Sequence, residues 1–517
     1  MAKVEDLTMD LRCSLLFSKS VEDIRGDLSR LISEANKSLF LKGVPQGKED
    51  RAAKATLKAL KGNTAELEIT SSTYVRAPAA LLRLLHFLRE DLGKKHKLGV
   101  RDVSVSDLTT RLPLTGDVGE EALTRIRGFQ NTRSASLEGR NLVIRHTNFT
   151  LSDFERGSYD RLLKMVEEEL GKAAEPEVSA PPMQIVRQGE VKPIKFDKDP
   201  AETALKLGWI TRFPGRGQWI YGPPYAALYE IIEDTLVEGV AKKLGFQPCL
   251  LPKLIPFDVM KLMPGYFDGI PEGMYYVCPP PREPESFKDF KESFKIHKDV
   301  PAEELRKILK DPEYVLAPAQ CEPFWYLFHR KSIKELPIKL YDRSGWTYRW
   351  EGGGVEGLVR VQEFRRIELV YYGLPDEAVK IRDAVLEENR RISDDLLDLE
   401  WRIVTSIPFF SRKTACIMDV HDSRQVSAYD LETYMPYRGP RNKAEWLEIT
   451  ACFVHRTKFI NAFKIKEEKS QEIWSGCTGM GVSRWVAAFL ARHGFDVDNW
   501  PRSIKQRYIK YGVKVPR

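Results

Sequence analysis

The stretch TYRWEGGGVEGLVRVQEFRRIELV, Thr347 to Val370, restricts the fold more than any other part of the chain. Its flanks alternate apolar with polar side chains and hold many β-branched and aromatic residues, the pattern of two half-buried strands. Between them the run Gly352 to Gly354 supplies the φ > 0 freedom of a turn. If the strands pair, Arg349, Glu351, Arg360, Glu363 and Glu368 crowd onto one sheet surface. An ordinary hairpin has no use for that density of charge on half-buried residues. The pattern predicts strands built around a charged site.

At 517 residues the chain is too long for one core, so two or three domains are expected. With 42% hydrophobic and 30% charged residues it has a globular composition. No apolar run is long enough to span a bilayer, and MAKVEDLTMDLRCSLLF lacks a secretory signal's uninterrupted apolar core. The expectation is a cytoplasmic protein without membrane attachment. Cys13, Cys249, Cys278, Cys321, Cys416, Cys452 and Cys477 are scattered and form no CxxC pair, so neither a disulfide framework nor a zinc finger is indicated. They read mostly as reduced core residues, some of which could meet in space as metal ligands. The net charge of +7 permits a polyanionic partner without requiring one.

GKAAEPEVSAPPMQIVRQGE, from Gly171 to Glu190, is rich in Ala, Pro and Glu with little periodicity, and reads as a linker. The division is an N-terminal α+β domain at 1–170, a linker at 171–192 and a larger domain at 193–517 with mainly antiparallel strands. In the first, DLRCSLLF, AELEITSSTYV and RNLVIRHTNFTL read as strands, and SVEDIRGDLSRLISEANKSLF and LLRLLHFLREDL as helices. Ser152 and Glu155 form a capping box before a helix ending near Leu170. Arg51, Lys54, Lys58 and Lys61 recur at helical spacing, predicting a basic helical stripe for a nucleic acid, with a solvated face as the alternative. The C-terminal PRSIKQRYIKYGVKVPR carries six basic residues and no acidic one. Residues 280–312 are densely charged and read as a surface insertion.

Arg349 with Glu351, and Arg484 in GMGVSRW, are the strongest chemical features. An arginine offers a rigid fork of donors suited to phosphate oxygens. The glycines before Arg484 would let backbone approach a ligand and set that arginine at a helix start. GxxxxGK[ST] and GxGxxG are both absent, so neither a P-loop nor a dinucleotide fingerprint is present.

These residues resemble the class II aminoacyl-tRNA synthetases. The segment at about 346–371 is similar to their motif 2, GMGVSRWVAAFL within about 474–492 to motif 3, and the helix and strand at about 225–252, with LGFQPCLLP, to motif 1. RVQEFRRIE is closest to the seryl and threonyl branch. LAPAQCEP places Cys321 where seryl enzymes carry a Thr-x-Glu loop and threonyl enzymes a zinc-binding cysteine. The threonyl histidine, six residues after the motif 2 phenylalanine, is missing, whereas Glu368 lies four after Phe364 and Cys477 just ahead of the motif 3 glycines. Cys321, Glu368 and Cys477 together resemble the rare zinc-dependent seryl-tRNA synthetase of methanogenic archaea. Two thiolates and one carboxylate also suit Zn²⁺, leaving a fourth position for substrate.

The resemblance implies an antiparallel-sheet catalytic domain, a separate α+β tRNA-binding domain and a homodimer. It further implies one Zn²⁺ per subunit, Mg²⁺ with ATP, and serine and tRNA(Ser) as substrates, with tRNA(Sec) left open. Arg349 and Arg484 would be catalytic. Arg349 would hold the α-phosphate, Glu351 the adenine amino group, Phe364 the ring, Arg360 and Arg484 the γ-phosphate, and Glu448 the Mg²⁺ and phosphates. After Glu448 the chain reads EITACFVHRTKF, offering Thr450 and His455 where seryl enzymes commonly hold an asparagine, and no partner for the serine hydroxyl is assigned. PFFSRKTACIMDVHDSRQ falls beside the pocket without single roles. The alternatives are a threonyl-type enzyme, an aminoacyl ligase for a carrier protein, and a non-catalytic tRNA-binding paralogue that should have lost Arg349, Glu351 or Arg484.

Overall fold

The computed structural model describes residues 6–172, 183–352, 354–408 and 422–513. Cys416 and most of the PFFSRKTACIMDVHDSRQ segment therefore lie outside the described residues. The chain forms two compact units, 1–179 and 180–517.

The first unit is a six-stranded antiparallel sheet. Its strands are β1 (Thr8–Phe17), β2 (Lys54–Lys61), β3 (Thr64–Ser72), β4 (Val100–Pro113), β5 (Thr132–Glu138) and β6 (Asn141–His146), ordered β2-β3-β1-β4-β6-β5. Along β1 every second side chain is buried, Met9, Leu11, Cys13, Leu15 and Phe17. They join Leu31 and Ile32 of helix Arg25–Glu34, Leu81 to Leu92 of Ala77–His96, and Tyr159 to Leu170 of Ser158–Lys172 in one core.

Two expectations fail in this unit. The basic stripe is not helical: Arg51 ends a single 3₁₀ turn, Glu49–Arg51, and Lys54, Lys58 and Lys61 lie on β2. β2 pairs with β3 through a tight turn at Gly62, whose φ is +58°, and a bulge between Leu57 and Ala59 disturbs its alternation. Sheet pairing has overridden the helical spacing. The capping box is formed by Thr150 and Asp153 rather than Ser152 and Glu155, because the helix it starts, Leu151–Glu155, begins earlier than expected.

The second unit is built on an eight-stranded sheet. In chain order its strands are β7 (Ile185–Gln188), β8 (Gln247–Pro248), β9 (Ile338–Asp342), β10 (Ile367–Gly373), β11 (Trp401–Ser406), β12 (Ala428–Thr433), β13 (Leu447–Arg456) and β14 (Trp474–Met480). The order across the sheet is β8-β9-β10-β14-β13-β12-β11-β7, antiparallel except for the β8–β9 pair. β7 falls inside the segment expected to be linker, where pairing with β11 makes it an edge strand.

Alternation along the central strands splits their side chains between two cores. Leu369, Tyr371, Cys452, Val454 and Met480 face helices Pro223–Leu236, Pro375–Arg391 and Val482–His493. Val370, Tyr372, Phe453 and Cys477 face the other way, toward Ile255, Phe324, Trp325 and Phe459. The site lies on this second face. Within the described residues of the charged insertion, helices Lys288–His297 and Ala302–Ile308 bury no side chain.

Candidate active site

Trp346–Tyr348 and Glu363–Arg365 pair antiparallel with Thr347 opposite Phe364, so a hairpin forms, but its strands are three residues long. Arg349, Glu351 and Arg360 lie outside them, and Glu368 stands on the eight-stranded sheet. Glu363 accepts from Gln218 Nε2 (2.9 Å) instead of lining the site, so the five charged residues do not share one sheet surface. Farther out, the chain closes again at a bridge between Glu356 and Arg360. Arg349 follows the first strand; its backbone N–H donates to the Gln362 carbonyl (2.9 Å) and its Nε to the Pro318 carbonyl (3.2 Å). Arg484 stands in the first turn of helix Val482–His493. It is steered by the carbonyls of Val359 (3.2 Å) and Glu448 (3.0 Å), and its Nη1 lies 3.4 Å from the Glu448 carboxylate.

A cavity of about 300 Å³ is lined by Arg349, Phe364, Glu448 and Arg484, and also by Cys321, Glu368 and Cys477. Glu351 and Arg360 line an adjoining cleft with Arg349, Phe364 and Arg484. Every residue expected to bind nucleotide or metal thus reaches one place, although those residues span much of the second unit. Arg51, Lys54, Lys58 and Lys61 all belong to the first unit. There Arg51 pairs with Asp6 (2.6 Å) and Lys58 with Glu68 (2.5 Å), so part of the basic charge is locally balanced.

Strand register builds the cavity floor. Glu368, Gly479, Ala451 and Asp430 stand in one row across β10, β14, β13 and β12. Cross-strand neighbours share a face, so two carboxylates flank a floor of two small residues. A Cβ at Gly479 would sit 1.5 Å from Nη2 of Arg366, so any side chain there would displace that guanidinium. Arg366 uses that space to reach the Glu368 carboxylate, Nη2 to Oε2 2.5 Å. The sequence reading missed Arg366; its position two residues before Glu368, in the extended chain just ahead of β10, was the available signal. Asp430 was also missed. Burial, aided by the neighbouring Glu448 carboxylate, holds its carboxyl well above the usual carboxylate range.

At the inner end the thiols of Cys321 and Cys477 interact directly. The Cys477 interaction lowers the Cys321 pKa, but burial with Glu322 and Glu368 outweighs it and the net shift is upward. Cys477 is raised well above the ordinary thiol value by its contact with Cys321 and by burial. Burial also pushes Glu368 up to about 7 against the pull of Arg366, and neither of its oxygens receives a well-aligned hydrogen bond. The cluster is therefore short of positive charge, and its donor set has the chemistry of a divalent-metal site. As they stand, no three or more His, Cys, Asp or Glu side chains among the described residues form a group ready to hold a metal ion. Glu368 is engaged by Arg366 instead.

His455 and Thr450 separate. The His455 ring lies with its Nε2 3.6 Å from Cys477 Sγ, packed by Trp325 and Phe459, and burial lowers its pKa to about 3, keeping it neutral. Thr450 faces the opposite core, donating to Asn389 Oδ1 (3.2 Å) and accepting from Trp485 Nε1 (3.1 Å), so it cannot meet a substrate in the cavity.

Comparison with known proteins agrees with this architecture. Residues 7–168 match a family described as a tRNA-binding domain, and 306–493 match the tRNA synthetase class II core domain (G, H, P, S and T). The type-2 serine--tRNA ligase of Methanocaldococcus jannaschii is 41% identical over 99% of this chain and 98% of its own. That of Methanothermobacter thermautotrophicus is 39% identical over 98% of each. Among solved structures, a crystal structure of A. aeolicus tRNASec in complex with M. kandleri SerRS aligns at a TM-score of 0.85 and 37% identity, covering 99% of both chains. A cytoplasmic serine-tRNA ligase from Naegleria fowleri, 15% identical over 70% of this chain and 73% of its own, shares the fold at a TM-score of 0.51. Among the described residues no helix is long and apolar enough to cross a membrane. The chain belongs to the type-2 serine--tRNA ligase family.

Proposed function

We propose that this chain is a serine--tRNA ligase of the cytoplasm, which joins serine to ATP as seryl-adenylate and passes the seryl group to tRNA(Ser). The observation that carries it is one cavity with Cys321, Glu368 and Cys477 at its inner end and Arg349, Phe364, Glu448 and Arg484 around the rest. The complex of the M. kandleri relative with a tRNASec supports extending tRNA recognition to tRNA(Sec).

The serine carboxylate is ionised at neutral pH, so its attack on the α-phosphate needs alignment and charge neutralisation more than a general base. Arg349, fixed on the Pro318 carbonyl, would neutralise the α-phosphate as pyrophosphate leaves. Phe364 would stack on adenine and Glu351 accept from its amino group. Arg360 and Arg484 would grip the γ-phosphate, with Glu448 holding the Mg²⁺ that accompanies ATP. Cys321, Glu368 and Cys477 would hold Zn²⁺, with Arg366 releasing the carboxylate. Zinc, when bound, supplies a Lewis-acidic anchor for the serine amino group. Pocket size would reject threonine.

The test is ATP–pyrophosphate exchange over a panel of serine, threonine, alanine and glycine, before and after chelation. Exchange with serine alone, lost on zinc removal and restored by zinc, is the expected result. Exchange with another amino acid would overturn the specificity.

A two-fold dimer is also proposed. Edge strand β8 leads into Leu250, an apolar side chain just past the strand that is 85% exposed. Light scattering should give twice the chain mass.

For tRNA, Lys54 and Lys61 on β2 are the better probes, since Arg51 and Lys58 already have acidic partners. Reversing both to Glu should raise KM for tRNA about tenfold and flatten the salt dependence by about one per lost phosphate contact. Serine-dependent exchange should be unchanged. Equal loss of both activities would assign the pair to stability.

A further inference from the structure

Gln320 immediately precedes Cys321 and is wholly buried, yet its φ is +76°. That left-handed conformation is unfavourable for any residue with a Cβ. It persists where surrounding contacts over-determine it. Here they come from the side-chain amide. Its Nε2 donates to the Asp342 carbonyl (3.0 Å) and to Asp342 Oδ2 (3.1 Å), and its Oε1 accepts from Thr347 Oγ1 (3.3 Å). Asp342 is itself fully buried and held from behind, accepting from the Ser344 backbone N–H (2.7 Å) and pairing with Lys253.

These partners belong to separate parts of the site. Asp342 lies on β9 directly opposite Glu368 on β10. Thr347 is in the hairpin strand two residues before Arg349. Lys253 follows Pro252, where the motif 1 segment ends. Upstream, backbone bonds from Ala317 N–H to the Lys253 carbonyl (2.8 Å) and from Tyr348 N–H to the Ala317 carbonyl (3.0 Å) tie the chain as far as Ala317. Cys321 lies beyond them, at the start of the short helix Glu322–Leu327.

We infer that Gln320 is a positioning residue whose amide buckles Cys321 to both the strand beside Glu368 and the strand that leads to Arg349. It sets where the inner thiol stands relative to Glu368, and so relative to the arginine at the other end of the cavity. Apolar packing would hold the loop as firmly but without direction; a buried amide with each end engaged fixes one register. The inference rests on Cys321, Glu368 and Cys477 being the zinc ligands proposed above.

The experiment measures zinc affinity of the full chain by competition with a chromophoric chelator, alongside KM for serine and the melting temperature of the metal-free protein. Gln320→Gly deletes the amide while suiting the positive φ. Its zinc affinity should fall about 10-fold or more, as for other groups that orient a metal ligand, and KM for serine should rise with it. The metal-free melting temperature should fall by a few degrees, because Asp342 and Thr347 lose their buried partner, but the metal-free variant should still fold cooperatively. Gln320→Asn tolerates the same backbone but is one methylene short, and should shift zinc affinity in the same direction. Unchanged zinc affinity in Gln320→Gly, or loss of folding in both variants, would assign the amide to stability and overturn the positioning role. A wild-type protein that binds no zinc would overturn the metal reading itself, a result distinct from equal zinc binding by wild type and variant.

Discussion

Replacing Arg349 with alanine is expected to lower serine-dependent ATP–pyrophosphate exchange about 10³-fold, chiefly in kcat. As the carboxylate attacks and pyrophosphate leaves, negative charge builds on the α-phosphate oxygens. A guanidinium already held in place costs no reorganisation at that moment. Arg349 meets this requirement: its backbone is locked to Gln362 and its Nε to the Pro318 carbonyl, leaving its remaining N–H groups for the cavity it lines. Arg349→Lys should recover part of the loss, because a point charge replaces the fork without its geometry. The expected pattern is a large fall in kcat, a small change in KM for ATP and an unaltered melting temperature. A fall of less than about tenfold with ATP saturating would remove Arg349 from the transition state.

Much of the second unit was legible because its signals are local. Alternation around Gly352 to Gly354 marked the hairpin, and the strand, glycine bend and helix around Arg484 could be read in order. What escaped depends on partners distant in sequence. KATLKALK carries Lys and Leu at spacings that suit a helix, and only its pairing with Thr64–Ser72 makes it a strand. Ile185–Gln188 is an edge strand solely because Trp401–Ser406 comes to lie beside it.

Side-chain facing was the other hidden quantity. Glu448 and Thr450 have the same parity on one strand and would be expected on one face. Yet Leu431 pairs with Thr450 while Glu432 pairs with Glu448, so Ile449 is the extra residue of a bulge. That bulge sends Glu448 into the cavity and Thr450 to the opposite core. No composition or spacing rule announces such a slip. Arg365 and Arg366 make the same point. The first runs to Glu233 of helix Pro223–Leu236, bonded at 2.9 and 2.8 Å, and the second enters the cavity over Gly479.

Removing one thiol at the inner end should be as damaging as removing Arg349, by a different route. Cys477→Ala is expected to take bound zinc from one ion per subunit to a small fraction of that, and serine-dependent exchange down by about 10³-fold with nucleotide binding retained. On the ligand set proposed above, two remaining protein ligands would no longer close around the ion, and the substrate amino group would lose its anchor. The wild-type fold supports separating this effect from stability. Cys477 is a cavity-lining residue beside Cys321, whereas Cys452 is fully buried on the other face of the same sheet. Both are cysteines on central strands and both lose one sulfur on mutation to alanine. Cys452→Ala should therefore show a comparable packing loss, about 1 kcal/mol or more by methylene equivalence, with zinc content and exchange preserved. If both variants keep their zinc, the metal is not held by Cys477. If both lose exchange in proportion to their loss of stability, the thiol cluster is core and the serine anchor must be sought elsewhere in the row from Glu368 to Asp430.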